Sequence, residues 1–195
     1  KTWEILEIEA ETHMVLFFDL DGTLVETDYA NFLAYEKAIK AVTKSSQVLT
    51  YNPTRRFSRI SLKSYFPTLT KTEFERIILE KEQNYNDFLH AIKLNTDMAG
   101  ILEQYSRTHQ TVLVTNCQRQ RAITTLRHFN LSDKFSNIFY GESHGTNEQV
   151  NKFQNAISKL GIAPDMIIAF DNEEEEVEKA RNAGISVINP RILKI

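Results

Sequence analysis

The chain is short of cysteine and glycine and contains no long apolar run. Its one cysteine, Cys117, excludes an internal disulfide framework and a cysteine-rich zinc site. Its five histidines, His13, His90, His109, His128 and His144, show no metal-ligand spacing. None of the six glycines forms a Gly-rich nucleotide fingerprint. No apolar stretch approaches the roughly 18 residues of a membrane span. The acidic N-terminal stretch also lacks the apolar region of a signal peptide, so no membrane partner is expected of this segment. An excess of basic charge is missing too: 23 Lys and Arg face 26 Asp and Glu, a net charge of −3, which argues against a nucleic-acid partner. A lone thiol fits a reducing compartment, either the cytoplasm or, for a secreted protein, the cytosol of a host cell. The chain starts at Lys1 rather than Met, as an excised piece of a longer protein would. Its 195 residues, 42% of them apolar, suffice for one sizeable core plus a smaller accessory unit.

What is present is a spaced series of short apolar runs at residues 14–18, 111–114, 137–140, 166–170 and 185–188. Helical patterns lie between most of them. Near-continuous apolar strands alternating with helices predict an α/β fold with a parallel sheet covered on both faces. In such a sheet, ligands bind beyond the carboxyl ends of the strands. The runs ending at Phe18, Val114 and Phe170 are followed at once by Asp19, by Thr115 and Asn116, and by Asp171 and Asn172. Three strands therefore deliver polar groups to one edge.

Residues 25–95 break the alternation. Thr27 or Asp28 is positioned to cap a helix carrying Phe32, Leu33, Ile39 and Val42 on one face. Thr70 and Glu73 have capping-box spacing, ahead of Phe74, Ile77, Ile78, Tyr85, Phe88, Leu89 and Ile92. The stretch reads as a helical insertion between the first and second strands. Residues 37–72 hold eight basic residues and no acid, leaving 15 basic and all 26 acidic residues for the remainder. Either this is a solvated helical surface, or the insertion meets an anionic substrate or an acidic partner surface. Tyr51, Phe57, Tyr65 and Phe66 lie in the same run, suited to core packing or to lining a slot for an aromatic ring.

The chemistry concentrates in Asp19-Leu20-Asp21-Gly22-Thr23, directly after an apolar strand. At average residue usage this pattern arises by chance about once in several hundred chains of this length. An ionised Asp19 can attack phosphorus to give an aspartyl-phosphate. Asp21 can protonate the leaving oxygen and later activate water. Gly22 permits a sharp turn out of the strand.

With this motif the sequence resembles the haloacid dehalogenase-like hydrolase superfamily, in its phosphatase branch. Asp19 to Thr23 match the first motif, Val112 to Asn116 the second, and Ile167 to Asn172 the fourth, while Lys152 is the candidate for the third-motif lysine. Ala183 and Gly184, ahead of the last strand, also resemble the family pattern. The resemblance implies a Rossmann-like catalytic core over residues 1–24 and 96–195, with residues 25–95 as a helical cap over the site. It implies Mg2+ held by Asp19, Asp171 and the backbone carbonyl of Asp21, with Thr115, Asn116 and Lys152 binding the phosphoryl group. Many relatives carry two acids in the fourth motif. Here Asn172 follows Asp171, and its amide oxygen can join the metal set without adding charge. Among the acids that follow, Glu175 is the preferred candidate to reach the metal through water.

Residues 152–173 resemble the small magnesium-dependent phosphatases of this superfamily. Aligning Phe153 with their phenylalanine puts Gln149 where their lysine stands and Lys152 about one helical turn on. That resemblance implies action on aryl phosphates, and with the basic insertion it predicts a phosphotyrosine protein phosphatase. Two alternatives stand beside it: a small-metabolite (sugar or nucleotide) phosphatase or phosphomutase, and a non-catalytic phospho-ligand-binding module. A dehalogenase is disfavoured because Asp21 is present. A cysteine phosphatase would need an Arg six residues after Cys117, where Ile123 stands.

Overall fold

Val15–Phe18 (β1) is buried at all four positions, as a strand covered on both faces must be. The computed structural model describes residues 13–44, 47–141 and 151–190. In it, β1 is the centre of a five-stranded sheet. The other strands are Gln110–Gln118 (β4), Asn137–Gly141 (β5), Ile167–Phe170 (β6) and Ser186–Ile188 (β7). Strand order is β5-β4-β1-β6-β7, and every pairing is parallel. The order reverses at β1, so the carboxyl end of β1 is the topological switch point where such sheets open a crevice. Two short strands, Val25–Glu26 (β2) and Lys93–Leu94 (β3), form a separate two-stranded sheet, and the helix Thr96–Tyr105 (α4) follows β3.

The chain divides into two compact units, Lys1–Val25 with Leu94–Ile195 and Glu26–Lys93. In the first, side-chain alternation along the strands decides what the site contains. Val15, Phe17, Val112, Val114, Ile167 and Ala169 share one core with Phe153 and Ala156 of Lys152–Leu160 (α6) and Ala180 of Glu174–Asn182 (α7). The next position on that face after Phe17 is Asp19, and after Ala169 it is Asp171. Register reinforces this, because Phe18 pairs with Phe170 and the two rings stack at 4.9 Å on the opposite face. The first acid of each strand end is thus delivered to the α6 side. Asn151 caps α6, its Oδ1 accepting the Phe153 amide at 2.9 Å. Gly161 ends α6 in the left-handed conformation, with φ 65°.

The second unit consists of Asp28–Thr43 (α1), Arg59–Tyr65 (α2) and Lys71–Asn84 (α3), followed by a 3-10 stretch at Tyr85–Ala91. Its core includes Phe32, Tyr35, Ile39, Phe57, Leu62 and Ile77. The Thr70–Glu73 capping box forms in both directions, at 3.2 and 2.9 Å. Thr27 is the N-cap of α1, with no side-chain capping bond. The α-helical pattern that the sequence carries on past Tyr85 breaks into the 3-10 stretch, which kinks at Phe88. Four of the eight cations of the basic run pair with acids outside it. Lys37 pairs with Asp87 at 2.7 Å, Lys40 with Glu36 at 2.9 Å, Arg56 with Asp28 at 2.6 Å and Lys71 with Glu75 at 3.9 Å. The aromatic residues of the run pack together: Phe57 meets Tyr35 at 5.0 Å and Tyr65 at 5.9 Å, and Tyr51 meets Phe32 at 5.4 Å.

Between Val114 and Gln118 the β4–β5 register shifts, which carries β4 past the apolar run into Thr115, Asn116 and Cys117. A Cβ on Gly141 would lie 2.2 Å from the Asn116 carbonyl oxygen, a backbone atom that cannot swing away. Gly141→Ala is therefore expected to destabilise the fold by about 1–3 kcal/mol. Urea unfolding should show a lower midpoint at unchanged m-value.

Candidate active site

The turn after β1 is organised by one carbonyl. The Leu20 oxygen accepts the amides of Thr23 at 3.3 Å, Leu24 at 3.0 Å and Val25 at 3.1 Å. The Leu20 side chain is fully buried, which anchors the turn to the core. Gly22 sits at φ +83°, and a Cβ there would meet the Asn172 amide at 2.5–2.8 Å. Asn172 fills the space that Gly22 leaves open, and its Oδ1 accepts the Thr23 hydroxyl at 3.2 Å. The structure thus gives Asn172 a clamping role on motif one, with its amide oxygen engaged by Thr23.

Lys152 projects from the first turn of α6 to the ends of two strands. Its ammonium donates to Asp19 Oδ1 at 2.9 Å and to Asp171 Oδ2 at 2.7 Å. Asp171 is fully buried, and its other oxygen accepts the Glu173 amide at 3.0 Å, where the chain turns into α7. Burial raises the Asp19 carboxyl to about 7, the Asp171 and Asp21 charges push it the same way, and Lys152 offsets part of the rise. Burial opposes the Lys152 charge, but Asp19 and Asp171 outweigh it and hold the ammonium above the usual lysine range.

Asp21 faces a different cation. Arg121, in the first turn of Arg119–His128 (α5), donates from Nη2 to Asp21 Oδ2 at 2.5 Å and from Nε to Cys117 Sγ at 3.1 Å. Thr115 is buried at the end of the apolar run, and its Oγ1 accepts the Cys117 amide at 3.1 Å. Accepting that bond leaves the hydroxyl its own hydrogen to donate. Asn116 is exposed and lies in the strand extension; α5 starts only at Arg119, with Gln118 as its cap, so Asn116 does not stand at a helix start. Burial pushes the Cys117 thiol up to about 12, with the Asp21 charge adding to it, so it is no nucleophile. Glu175 pairs with Lys179 at 2.8 Å and is mostly exposed. The acid of this helix that reaches the cluster is the buried Glu176, 3.8 Å from Lys152 and 2.8 Å from Lys179. Gln149 lies outside the described residues.

The donor set suits a hard divalent cation. Three carboxylates, Asp19, Asp21 and Asp171, face the cations of Lys152 and Arg121, and burial first, then the charges of Asp171 and Asp21, raise the Asp19 carboxyl. Among the described residues no three His, Cys, Asp or Glu side chains form a metal cage. Mg2+, the hard divalent cation such carboxylates suit, binds through one or two of them together with water and substrate phosphate. Asp19 and Asp171 are the residues able to hold it.

Arg121 and Glu176 join the cluster without being named from the sequence. Nothing local to Arg121 points to a partner 100 residues away. Glu176 had a usable signal, since it adjoins Val177 and precedes Ala180 by four on the buried face of α7.

The family model of haloacid dehalogenase-like hydrolases matches residues 16–189. A "phosphorylated carbohydrates phosphatase" of Thermotoga maritima is 23% identical over 181 residues, covering 89% of this chain and 82% of its own. Solved structures share the fold. A "predicted phosphoglycolate phosphatase" from Haemophilus somnus aligns with TM-score 0.75 and 21% identity, over 92% of this chain and 85% of its own. CbbY from Rhodobacter sphaeroides aligns with TM-score 0.74 and 16% identity, over 90% and 85%.

The buried Asp19 carries a signed consequence for stability. Its folded pKa of about 7 lies above the unfolded value near 4, so the native state binds more protons between those limits. Stability of the metal-free protein should fall as pH rises through that window, by a few kcal/mol at most. In EDTA, Asp19→Asn should remove most of this fall and melt higher than the wild type at pH 8; thermal scans at pH 5 and pH 8 measure both.

Proposed function

This chain belongs to the haloacid dehalogenase-like hydrolase family, and we propose that within it the protein is a Mg2+-dependent phosphatase of small phosphorylated metabolites. The observation that carries the reading is the Lys152 ammonium held between Asp19 and Asp171 at the sheet's switch point. Lys152 fixes Asp19 through Oδ1, which makes Oδ2 the attacking oxygen. That oxygen bonds to phosphorus as the bond to the leaving oxygen breaks, and Asp21 gives its proton to the departing alkoxide. Asp21 then takes a proton from water, which attacks the aspartyl-phosphate and frees Asp19 and inorganic phosphate. Bound Mg2+ supplies positive charge that offsets repulsion between the nucleophile and the phosphate dianion. Thr115 is suited to donate to a phosphoryl oxygen.

The phosphotyrosine expectation loses its motives. Four of the eight cations in the basic run are paired with acids, Phe57 stacks on Tyr65, and Tyr51 packs on Phe32. The relatives favour the metabolite alternative, since the curated one is a phosphatase of phosphorylated carbohydrates. A binding module without catalysis is disfavoured by the assembled Asp19, Lys152 and Asp171. A phosphomutase shares both aspartates, and a β-phosphoglucomutase description attaches to one structural neighbour from Thermotoga maritima, with TM-score 0.67.

The test is a panel of sugar phosphates, phosphoglycolate, p-nitrophenyl phosphate and phosphotyrosine peptides, each with Mg2+ and with EDTA. A sugar phosphate or phosphoglycolate should give the highest kcat/KM, and EDTA should abolish turnover. Asp19→Asn should lose at least about a thousandfold in kcat while remaining folded. A phosphotyrosine peptide as best substrate, or full activity in EDTA, overturns the reading. Isomerised sugar phosphate in place of inorganic phosphate would identify a mutase.

A further inference from the structure

We infer that Arg121 is a positioning residue for Asp21, needed for the step in which a poor leaving group takes its proton. The inference rests on the phosphatase reading and deepens it at the same site.

The guanidinium is fixed at two points. Nη2 meets Asp21 Oδ2 at 2.5 Å, and Nε meets Cys117 Sγ at 3.1 Å. The first contact is on the turn after β1 and the second at the end of β4. The forked, planar group cannot rotate about one contact without losing the other. The Arg121 and Asp21 side chains are only 12% and 14% exposed. Asp21 itself stands on a turn whose backbone is set by the Leu20 carbonyl, so what Arg121 adds is the orientation of the carboxylate.

The pair is not required to hold the strands. β1 and β4 are already registered from Val15 against Gln110 to Phe18 against Leu113. Desolvation offsets much of a buried ion pair's attraction, so the net stability the intact pair adds is small, although removing one partner alone leaves the other charge uncompensated. The remaining consequence is geometric. A general acid must lie within hydrogen-bond reach of the leaving oxygen, and Arg121 fixes one carboxylate oxygen of Asp21 at a defined point.

Leaving-group chemistry separates this role from a structural one. An alkoxide must be protonated as it leaves; p-nitrophenolate departs without a proton. The measurement is kcat/KM, which reports the steps up to departure of the leaving group, for glucose 6-phosphate and p-nitrophenyl phosphate with Mg2+. Arg121→Met should lose about a hundredfold on glucose 6-phosphate and no more than about threefold on p-nitrophenyl phosphate. Arg121→Lys keeps the charge without the fork and should recover part of the alkyl activity. In an Asp21→Asn background, Arg121→Met should cause no further loss on either substrate.

Parallel loss on both substrates, or additive loss in the double variant, would overturn the inference and leave Arg121 a structural or phosphate-binding residue. So would a rise in KM alone. Retained p-nitrophenyl phosphate turnover in the variants shows that they are folded. Wild-type inactivity on the whole panel of sugar phosphates, phosphoglycolate, p-nitrophenyl phosphate and phosphotyrosine peptides would instead overturn the phosphatase reading on which the inference stands.

Discussion

A buried ammonium between two buried carboxylates is the constraint around which the catalytic unit is arranged. Lys152 starts α6, Asp19 ends β1 and Asp171 ends β6, so one charged group ties a helix start to the two strand tips beside the switch point. Removing Lys152, the cation the two carboxylates share, leaves uncompensated buried charge, at a cost of about 3–5 kcal/mol. The sequence beneath it serves this placement. Strand alternation sends Asp19 and Asp171 to the α6 face, and Phe153 and Ala156 hold α6 against that face through the shared core.

Around this centre the two aspartates of motif one are kept apart chemically. Asp19 is buried against Lys152, with its carboxyl shifted up, whereas Asp21 is held by Arg121 beside Cys117. Two carboxyls separated by one residue thereby acquire different cation partners from different helices. The division follows from Leu20, whose buried side chain and triply engaged carbonyl force the chain to turn between them. Unlike surroundings are what allow two acids of the same kind to take different roles.

Much of this was legible from the sequence wherever the signal was local. The strands at Val15–Phe18 and Ile167–Phe170 are near-uniform apolar runs because both faces of the sheet are covered, and the capping box at Thr70 and Glu73 is complete within four residues. Long-range pairing was not legible. The cations of residues 37–72 look unopposed when only that window is counted, yet Asp28, Glu36, Asp87 and Glu75 neutralise four of them from outside it. Nothing local to Asn172 announces its hydrogen bond with Thr23 or its place over Gly22, about 150 positions earlier in the chain. Polar Thr115 to Cys117 look like the end of a strand, but the register shift against β5 carries β4 on to Gln118.

The state of Cys117 has a practical consequence for chemical handling. Burial, with the Asp21 charge beside it, holds the thiol in its protonated form at neutral pH. Alkylating reagents and peroxide act on the thiolate, so the native sulfur is close to inert toward both. Since the chain has no other cysteine, a cysteine introduced at an exposed position becomes the one reactive handle, with no need to replace Cys117 and disturb Arg121. Fluorophores or spin labels placed on each of the two units in turn would then report their motions in an otherwise native protein.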